Sequence, residues 1–519
     1  MQAHVRAWLS ITVVMTLLIV PRAFAQEGSE IEMLKQELRR LQDRLQKLET
    51  AQRAPAPAPP GLAAPVSPAA NAPAGAPANA PVGAMPVATQ MQVPAQPGER
   101  EIQLEGRHPF ELIGLPKPEV GNVRLGGFFV GSASYNSRLQ MVPEFAGGAP
   151  ALADPGHLNF RFDKFGLSAS TVFAPWLSAS AAVEVESHRD RHAHGFDPAF
   201  GCPGPGVCIE RFGAEEAETE INLDKLAITA VAPVGNGLAV SFGRFDVPFG
   251  IERHDEPLLL TATPSELFQF GRPQRMTGFQ ASYQVAPWLD VTTWAVNRWE
   301  SETTHDPFDD NNRDKSFGGR IGVTPLAAGD QLLNFGLGAF WGPEQDDDTR
   351  NKRWVVDVDA TWTPFSRLLL AAEAVYGRES GVSFRRRGIP YPAPAVDEQD
   401  VSWWAFYVLA HYDIVNWLGV SARYGFFDDR DGARTGVEQI LQSWTLTPVV
   451  HLSRLVPGLR PTGATYARTR HPIDWIDVKL EYRLNHSNKS VFSDARPGVD
   501  ILDASHESHQ VQLQFVVNF

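Results

Sequence analysis

The carboxy-terminal segment His509–Phe519 restricts the fold more than any other stretch of this chain. In extended conformation Val511, Leu513, Phe515, Val517 and Phe519 fall on one face, and Gln510, Gln512, Gln514 and Asn518 on the other. A strand divided in this way needs an apolar medium on one side and a wet one on the other. The same alternation recurs at Leu333–Trp341, Trp354–Trp362, Leu368–Tyr376 and Ile476–Leu484, where Asp357, Asp359, Glu373, Asp477, Lys479, Glu481 and Arg483 share the polar face.

Soluble sandwiches also alternate, so the connectors decide between the two. Tight turns are predicted at Ala174-Pro175-Trp176, Pro233 to Gly237, Ala286-Pro287-Trp288, Thr363-Pro364-Phe365 and Asp413 to Asn416. Long polar loops lie between them near 136–156, 187–217, 253–274, 299–315, 342–351, 378–400 and 427–436. Short turns at one end and long loops at the other are the rule for outer-membrane barrels. The fold expected is all-β: a transmembrane antiparallel β-barrel of about 16 strands over 121–519, preceded by a short α-helical coiled coil. One stretch fits poorly, because 448–473 should be a simple periplasmic connection yet is long and rich in Arg.

Ahead of the barrel the chain changes character three times. Arg6 precedes the apolar run Ala7–Val20, and Ala23-Phe24-Ala25 supplies the small residues of a cleavage site. The run is shorter than the roughly 20 residues that span a bilayer, so 1–25 reads as a signal peptide and the mature chain is expected to begin near Gln26. Within 26–52, Ile31, Leu34, Leu38, Leu41, Leu45 and Leu48 alternate spacings of three and four, the a/d stripe of a coiled coil. The run Arg44-Leu45-Gln46-Lys47-Leu48-Glu49 resembles the pattern of trimeric coiled coils, so a homotrimer is expected. Residues 53–98 are dominated by Ala and Pro and form an extended linker, followed by a lead-in at 99–120. At about 3.1 Å per residue the linker can hold the coiled coil near the cell wall, with peptidoglycan as its candidate contact.

Composition excludes some partners. The formal net charge of -14 argues against nucleic acid, whose phosphates require a basic surface. No apolar run after the signal peptide is long enough for a transmembrane helix, so contact with outer-membrane lipids has to come from strands. The two cysteines, Cys202 and Cys208, stand in a Gly/Pro-rich loop; in an oxidising compartment they suggest a small intraloop disulfide, the competing reading being a metal site.

The polar faces supply the pore-lining candidates Arg161, Glu184, Glu186, Asp290, Arg320, Arg353, Asp357, Asp359, Glu373, Arg423, Lys479 and Glu481. They mix both signs, with no ring of one charge. The loop at 253–274 contains Leu258-Leu259-Leu260 and Phe268-Gln269-Phe270, apolar enough to fold inward, and is the candidate constriction loop.

Two phrases carry a family resemblance. Gly243-Arg244-Phe245-Asp246-Val247-Pro248-Phe249-Gly250-Ile251-Glu252 with the later Met276-Thr277-Gly278-Phe279, and Glu481-Tyr482-Arg483-Leu484-Asn485-His486-Ser487, resemble the OmpL-like and phosphate-selective porin families of outer-membrane barrels. The terminal Phe519 matches the aromatic that such barrels present to their assembly machinery. The resemblance covers roughly 120–519 and implies a sixteen-stranded, commonly trimeric diffusion channel in the bacterial outer membrane. Phosphate selectivity is not implied, because the inward charges are mixed. Acidic loops, including Asp346-Asp347-Asp348 and Asp428-Asp429, suggest a modest cation preference or none, with Arg385-Arg386-Arg387 expected in an exposed loop.

No enzyme and no cofactor are expected. His451 and Ser453 lie two apart but lack a nucleophile elbow and a third partner. His188, His192 and His194 with Asp190, and Asp309, Asp310, Asn311 and Asp314, have ligand-like spacing yet read as solvated loops, so no metal site is assigned. The expectation is a porin for small hydrophilic solutes or ions. The alternatives are a barrel with a binding or structural role and, behind it, a barrel enzyme.

Overall fold

The computed structural model describes residues 121, 123–140, 156–190, 216–300, 310–382, 398–435, 437–493 and 505–519. The signal peptide, the heptad leucines, the linker, the lead-in, Cys202, Cys208 and Arg385 to Arg387 lie outside the described residues.

The chain forms β1 (Val123–Asn136), β2 (Leu139–Gln140), β3 (Leu158–Ala174), β4 (Leu177–Asp190), β5 (Glu216–Ala232), β6 (Leu238–Asp246), β7 (Arg275–Ala286), β8 (Leu289–Val296) and β9 (Ser316–Ala328). It continues with β10 (Gln331–Gly342), β11 (Arg353–Phe365), β12 (Leu368–Val382), β13 (Gln399–Val415), β14 (Leu418–Asp429), β15 (Gln439–His451), β16 (Ile476–Ser487), β17 (Phe492–Ser493) and β18 (Glu507–Asn518). Sixteen of these close into an antiparallel barrel, while β2 and β17 form a separate two-stranded ribbon. Closure is made by β1, which pairs β3 on one edge and β18 on the other, for example Gly131 opposite Phe515. An even strand number returns β18 to the end where β1 begins.

Burial along the strands is the reverse of a soluble protein. On β18, Gln510, Gln512 and Gln514 are buried, whereas Val511 and Phe515 are exposed. Phe129, Phe160, Phe242, Phe279, Phe335, Trp362 and Leu446 are likewise exposed on other strands. At about 25 cal/mol per Å² such a surface is costly in water and is at ease only in lipid. Larger aromatics gather at both rims. Phe173, Trp176, Trp288, Phe365 and Trp417 stand near the short turns, and Tyr135, Phe317, Trp341 and Tyr376 near the long loops.

Strands run further than the sequence pattern suggested. Pro364 falls at a register shift between Trp362 and Phe365, so the β11 ladder passes over it and the turn is Ser366-Arg367. Similarly β13 continues through Asp413 to Val415, leaving Asn416-Trp417 as the turn. The stretch 448–473 also divides: Pro448 to His451 stay in β15, and the connection proper is 452–475.

The glycines of the first family phrase have a physical role. Gly243 on β6 pairs Gly278 on β7, both at positive φ (135° and 156°). A Cβ at either position would collide with neighbouring backbone, at Leu226 O and Ala295 O respectively.

The buried apolar cluster includes Phe249, Leu267, Phe270, Trp294, Trp299, Phe340, Val375, Trp403, Tyr407 and Phe427. Several of these belong to 247–274, so the apolar core lies within the barrel because that segment folds into it.

Candidate functional site inside the barrel

Segment 247–274 leaves β6 at Val247-Pro248 and turns at Gly250 (φ 75°), where a Cβ would collide with the Arg272 guanidinium and the Glu373 carboxylate. Glu373 on β12 accepts from Ile251 N at 2.7 Å, Arg272 Nε at 2.6 Å and Tyr407 Oη at 3.0 Å. The other end of the Arg272 fork donates to Glu252 O at 2.8 Å. Glu252 in turn accepts from Ser265 N at 2.9 Å and from Arg423 Nη1 on β14 at 2.7 Å. Segment entry and exit are thereby bound to each other and to the wall.

The tip is held by β16. Lys479 Nζ donates to Leu259 O at 2.7 Å, Glu256 O at 3.2 Å and Thr261 O at 3.3 Å. Glu481 accepts from Ala262 N at 2.7 Å, Thr263 N at 3.3 Å and the Thr447 hydroxyl at 3.0 Å. Beside them Arg483 donates to Glu266 at 2.5 Å. On the far wall His254 lies 3.0 Å from Glu184 and 2.6 Å from Lys164. Arg275 also reaches Glu184 at 2.9 Å, Lys164 lies 3.8 Å from Glu186, and Lys225 bridges Asp246 and Asp255 at 2.9 Å each. A single segment that touches β4, β12, β14 and β16 of a closed barrel runs through its interior.

The other sequence-derived candidates lie on the same inner faces. Arg320 sits between Asp290 at 3.4 Å and Asp359 at 3.5 Å. Arg353 pairs Glu379 at 2.8 Å and stands over the Trp299 ring. Asp357 is wholly buried, and Arg161 is half-buried 3.8 Å from Asp163. Most of these charges are bonded to partners, as burial demands, because an unpaired ion in such a place costs several kcal/mol. The loop acids are partly neutralised too, Asp428 by Arg430 at 2.7 Å and Asp314 by Lys352 at 3.3 Å.

A second insertion enters from the short-turn end. In connection 452–475, Arg468 donates to Pro248 O at 2.8 Å and lies 3.7 Å from Asp359, while Asn334 donates to Arg468 O at 2.6 Å. The two insertions therefore meet inside the barrel. The length and Arg content of 448–473 were the visible sign of this. His451 and Ser453, two apart in sequence, both turn to Asp474, at 3.2 Å and 3.1 Å.

Electrostatics of the inserted segment are set by burial and neighbours. Burial and the cations Arg275 and Lys164 oppose charge on His254, yet the Glu184 carboxylate carries it up to about 10. Burial pushes Glu256 up to about 7 against the pull of Lys164. Glu252, Glu266, Arg272 and Lys164 did not stand out in the sequence. Their only signal is position: Glu252 closes the first family phrase, and Glu266 and Arg272 fall in the loop apolar enough to fold inward.

Residues 182–517 match the model of the putative beta-barrel porin-2, OmpL-like family. The chain belongs to that family. It is an outer-membrane β-barrel of the porin type, and its family supports a channel role. Among solved structures, this OmpL-like barrel is similar to the outer membrane channel DcaP of Acinetobacter baumannii at 15% identity and TM-score 0.47, covering 78% of this chain and 100% of that one. It is also similar to an anion-selective porin from Comamonas acidovorans, at 12% identity and TM-score 0.43 over 77% and 99% of the two chains. OprB of Pseudomonas putida aligns at 12% identity and TM-score 0.40, over 76% and 94%. No curated protein matches the sequence.

Proposed function

We propose that this OmpL-like barrel is a passive diffusion channel for small hydrophilic solutes or ions, narrowed by segment 247–274. The observation that carries this reading is that the inward segment is seated by charged side chains on opposite walls, as a fixed constriction requires. The inward candidates and the segment's own charges flank the path in mixed sign, which favours weak ion selectivity. The heptad stripe at 26–52 supports a homotrimer, with the short turns and the Pro/Ala linker on the periplasmic side and the cell wall within its reach. Cys202 and Cys208 are proposed to close a loop disulfide.

The test is single-channel conductance of the purified protein in planar bilayers, compared with a variant in which 256–268 is replaced by a short Gly-Ser linker. Wild-type conductance that rises on replacement is the expected result. A second reading, a closed barrel with a binding or structural role, is favoured by the meeting of Arg468 with Pro248. Absence of conductance in both proteins would decide for it.

A further inference from the structure

At the short-turn end, beside the tip of the constriction segment, three histidines surround one carboxylate. His411 and Asp413 are two apart on β13 and share its inner face; His451 ends β15, and His471 belongs to connection 452–475. Asp413 Oδ1 lies 3.6 Å from His411 Nε2 and 3.4 Å from His451 Nε2, and Asp413 Oδ2 lies 3.9 Å from His471 Nδ1. The rings of His411 and His471 are 4.3 Å apart. All four side chains are buried.

The hydrogen bonds determine which nitrogen of His411 is available. Ser421 Oγ donates to Leu260 O at 2.7 Å, because a carbonyl can only accept. Its one proton is thus committed, so the 2.8 Å contact with His411 Nδ1 requires that nitrogen to be the donor. The neutral ring then carries its lone pair on Nε2, facing Asp413 with no hydrogen bond among the described residues. His471 Nε2 is buried without a hydrogen bond as well. A lone pair opposite a carboxylate is repulsive unless a proton or a metal cation lies between them.

An independent feature keeps that side open. Gly419 on β14 pairs Asp413, and a Cβ there would come within 2.9 Å of His411 Nε2 and 3.2 Å of Asp413 Oδ1. Charge also favours a cation. Asp413, Asp474 and Asp477 converge here with Arg454 as their guanidinium partner, 3.4 Å from Asp413 and 2.7 Å from Asp474.

We propose that His411, Asp413 and His471 form a binding site for a divalent transition-metal ion. Their ligand atoms lie within 4.8 Å of one another. Around an ion with bonds of about 2.0–2.1 Å, tetrahedral ligands sit roughly 3.3 Å apart, so small side-chain rotations close the set. His451, whose Nδ1 donates to Asp477 at 2.7 Å, stands behind Asp413 as an outer partner that orients it. Two imidazoles and one carboxylate suit Zn²⁺, Ni²⁺ or Cu²⁺ rather than Mg²⁺ or Ca²⁺. Because His471 is on the inserted connection and the other two ligands are on the wall, the ion pins that connection to the barrel.

The experiment is calorimetric titration of the full chain with ZnCl₂ in detergent. The protein is made without a polyhistidine tag and in a His188→Ala, His192→Ala, His194→Ala background that removes the loop histidines. One ion bound per barrel, a higher thermal midpoint with Zn²⁺ but not with Mg²⁺, and at least tenfold weaker binding in Asp413→Asn and His471→Ala are expected. His471 lies outside the strand ladder, so its variant keeps the barrel, which heat-modifiable electrophoretic mobility verifies. Absence of saturable Zn²⁺ binding, or unchanged affinity in the folded His471→Ala protein, overturns the proposal.

Discussion

Replacing Arg272 with Met tests whether segment 247–274 is seated by its buried charges. Arg272 is 1% exposed, bonds Glu373 at 2.6 Å and Glu252 O at 2.8 Å, and stacks over Phe268. Methionine keeps much of the volume but strands the Glu373 carboxylate, which retains only Ile251 N and Tyr407 Oη. Removing one partner of a buried pair costs about 3–5 kcal/mol. At about 1.36 kcal/mol per tenfold change, the unseated population grows by roughly two to four orders of magnitude. The barrel ladder is untouched, so the loss is local. Single-channel recordings should show larger or fluctuating conductance, and limited proteolysis should cut within 253–270. The double variant Arg272→Met/Glu373→Gln, which removes the stranded charge and keeps an acceptor for Ile251 N, should recover most of the wild-type behaviour. Arg378→Met serves as control, since its pair with Asp400 is half exposed and worth at most about 1 kcal/mol. If Arg272→Met has the conductance and protease resistance of wild type, the segment is held by apolar packing and the ionic account is wrong.

A pH effect follows from His254, whose folded value of about 10 exceeds its ordinary 6.5. A raised value stabilises the folded state fully below pH 6.5, and this contribution is lost as pH rises toward 10. Protease sensitivity of 253–270 should therefore increase over that window, and a His254→Gln protein showing the same rise would rule out this residue as the cause. Deleting Phe519 should reduce the membrane-inserted fraction strongly: its backbone exchanges two hydrogen bonds of 2.9 Å with Gly127, but one terminal residue adds little core. Normal surface levels of the truncated protein would count against an assembly role. Changing Leu38, Leu41 and Leu45 together to Asp should weaken trimers while leaving each barrel folded, checked by native electrophoresis and thermal melting. Trimers of unchanged stability would assign the heptad segment another purpose.

What could be read in advance was what is local along the chain. The alternation of Val511, Leu513 and Phe515 with three Gln is contained in one strand, and a strand's two faces meet different media whatever its neighbours. From that, with the alternating connector lengths, the closed sixteen-stranded barrel and its inward charges were legible. The family phrase Gly243 to Glu252 was visible too, although its reason was not: a Cβ at Gly243 would collide with the backbone of Leu226 on the neighbouring strand β5.

The tertiary structure alone decided what those inward charges do. Lys479 and Glu481 read as pore lining, yet they hold the backbone of a segment more than two hundred positions earlier, Lys479 at Leu259 and Glu481 at Ala262. His411, Asp413 and His471 carry no spacing that suggests a site, because β13 and a re-entrant connection bring them together. Polarity and period are properties of adjacent residues and survive in the sequence. A buried charge, in contrast, is defined by the partner that offsets its desolvation, and in a closed barrel that partner comes from any strand whose inner face points at the same volume.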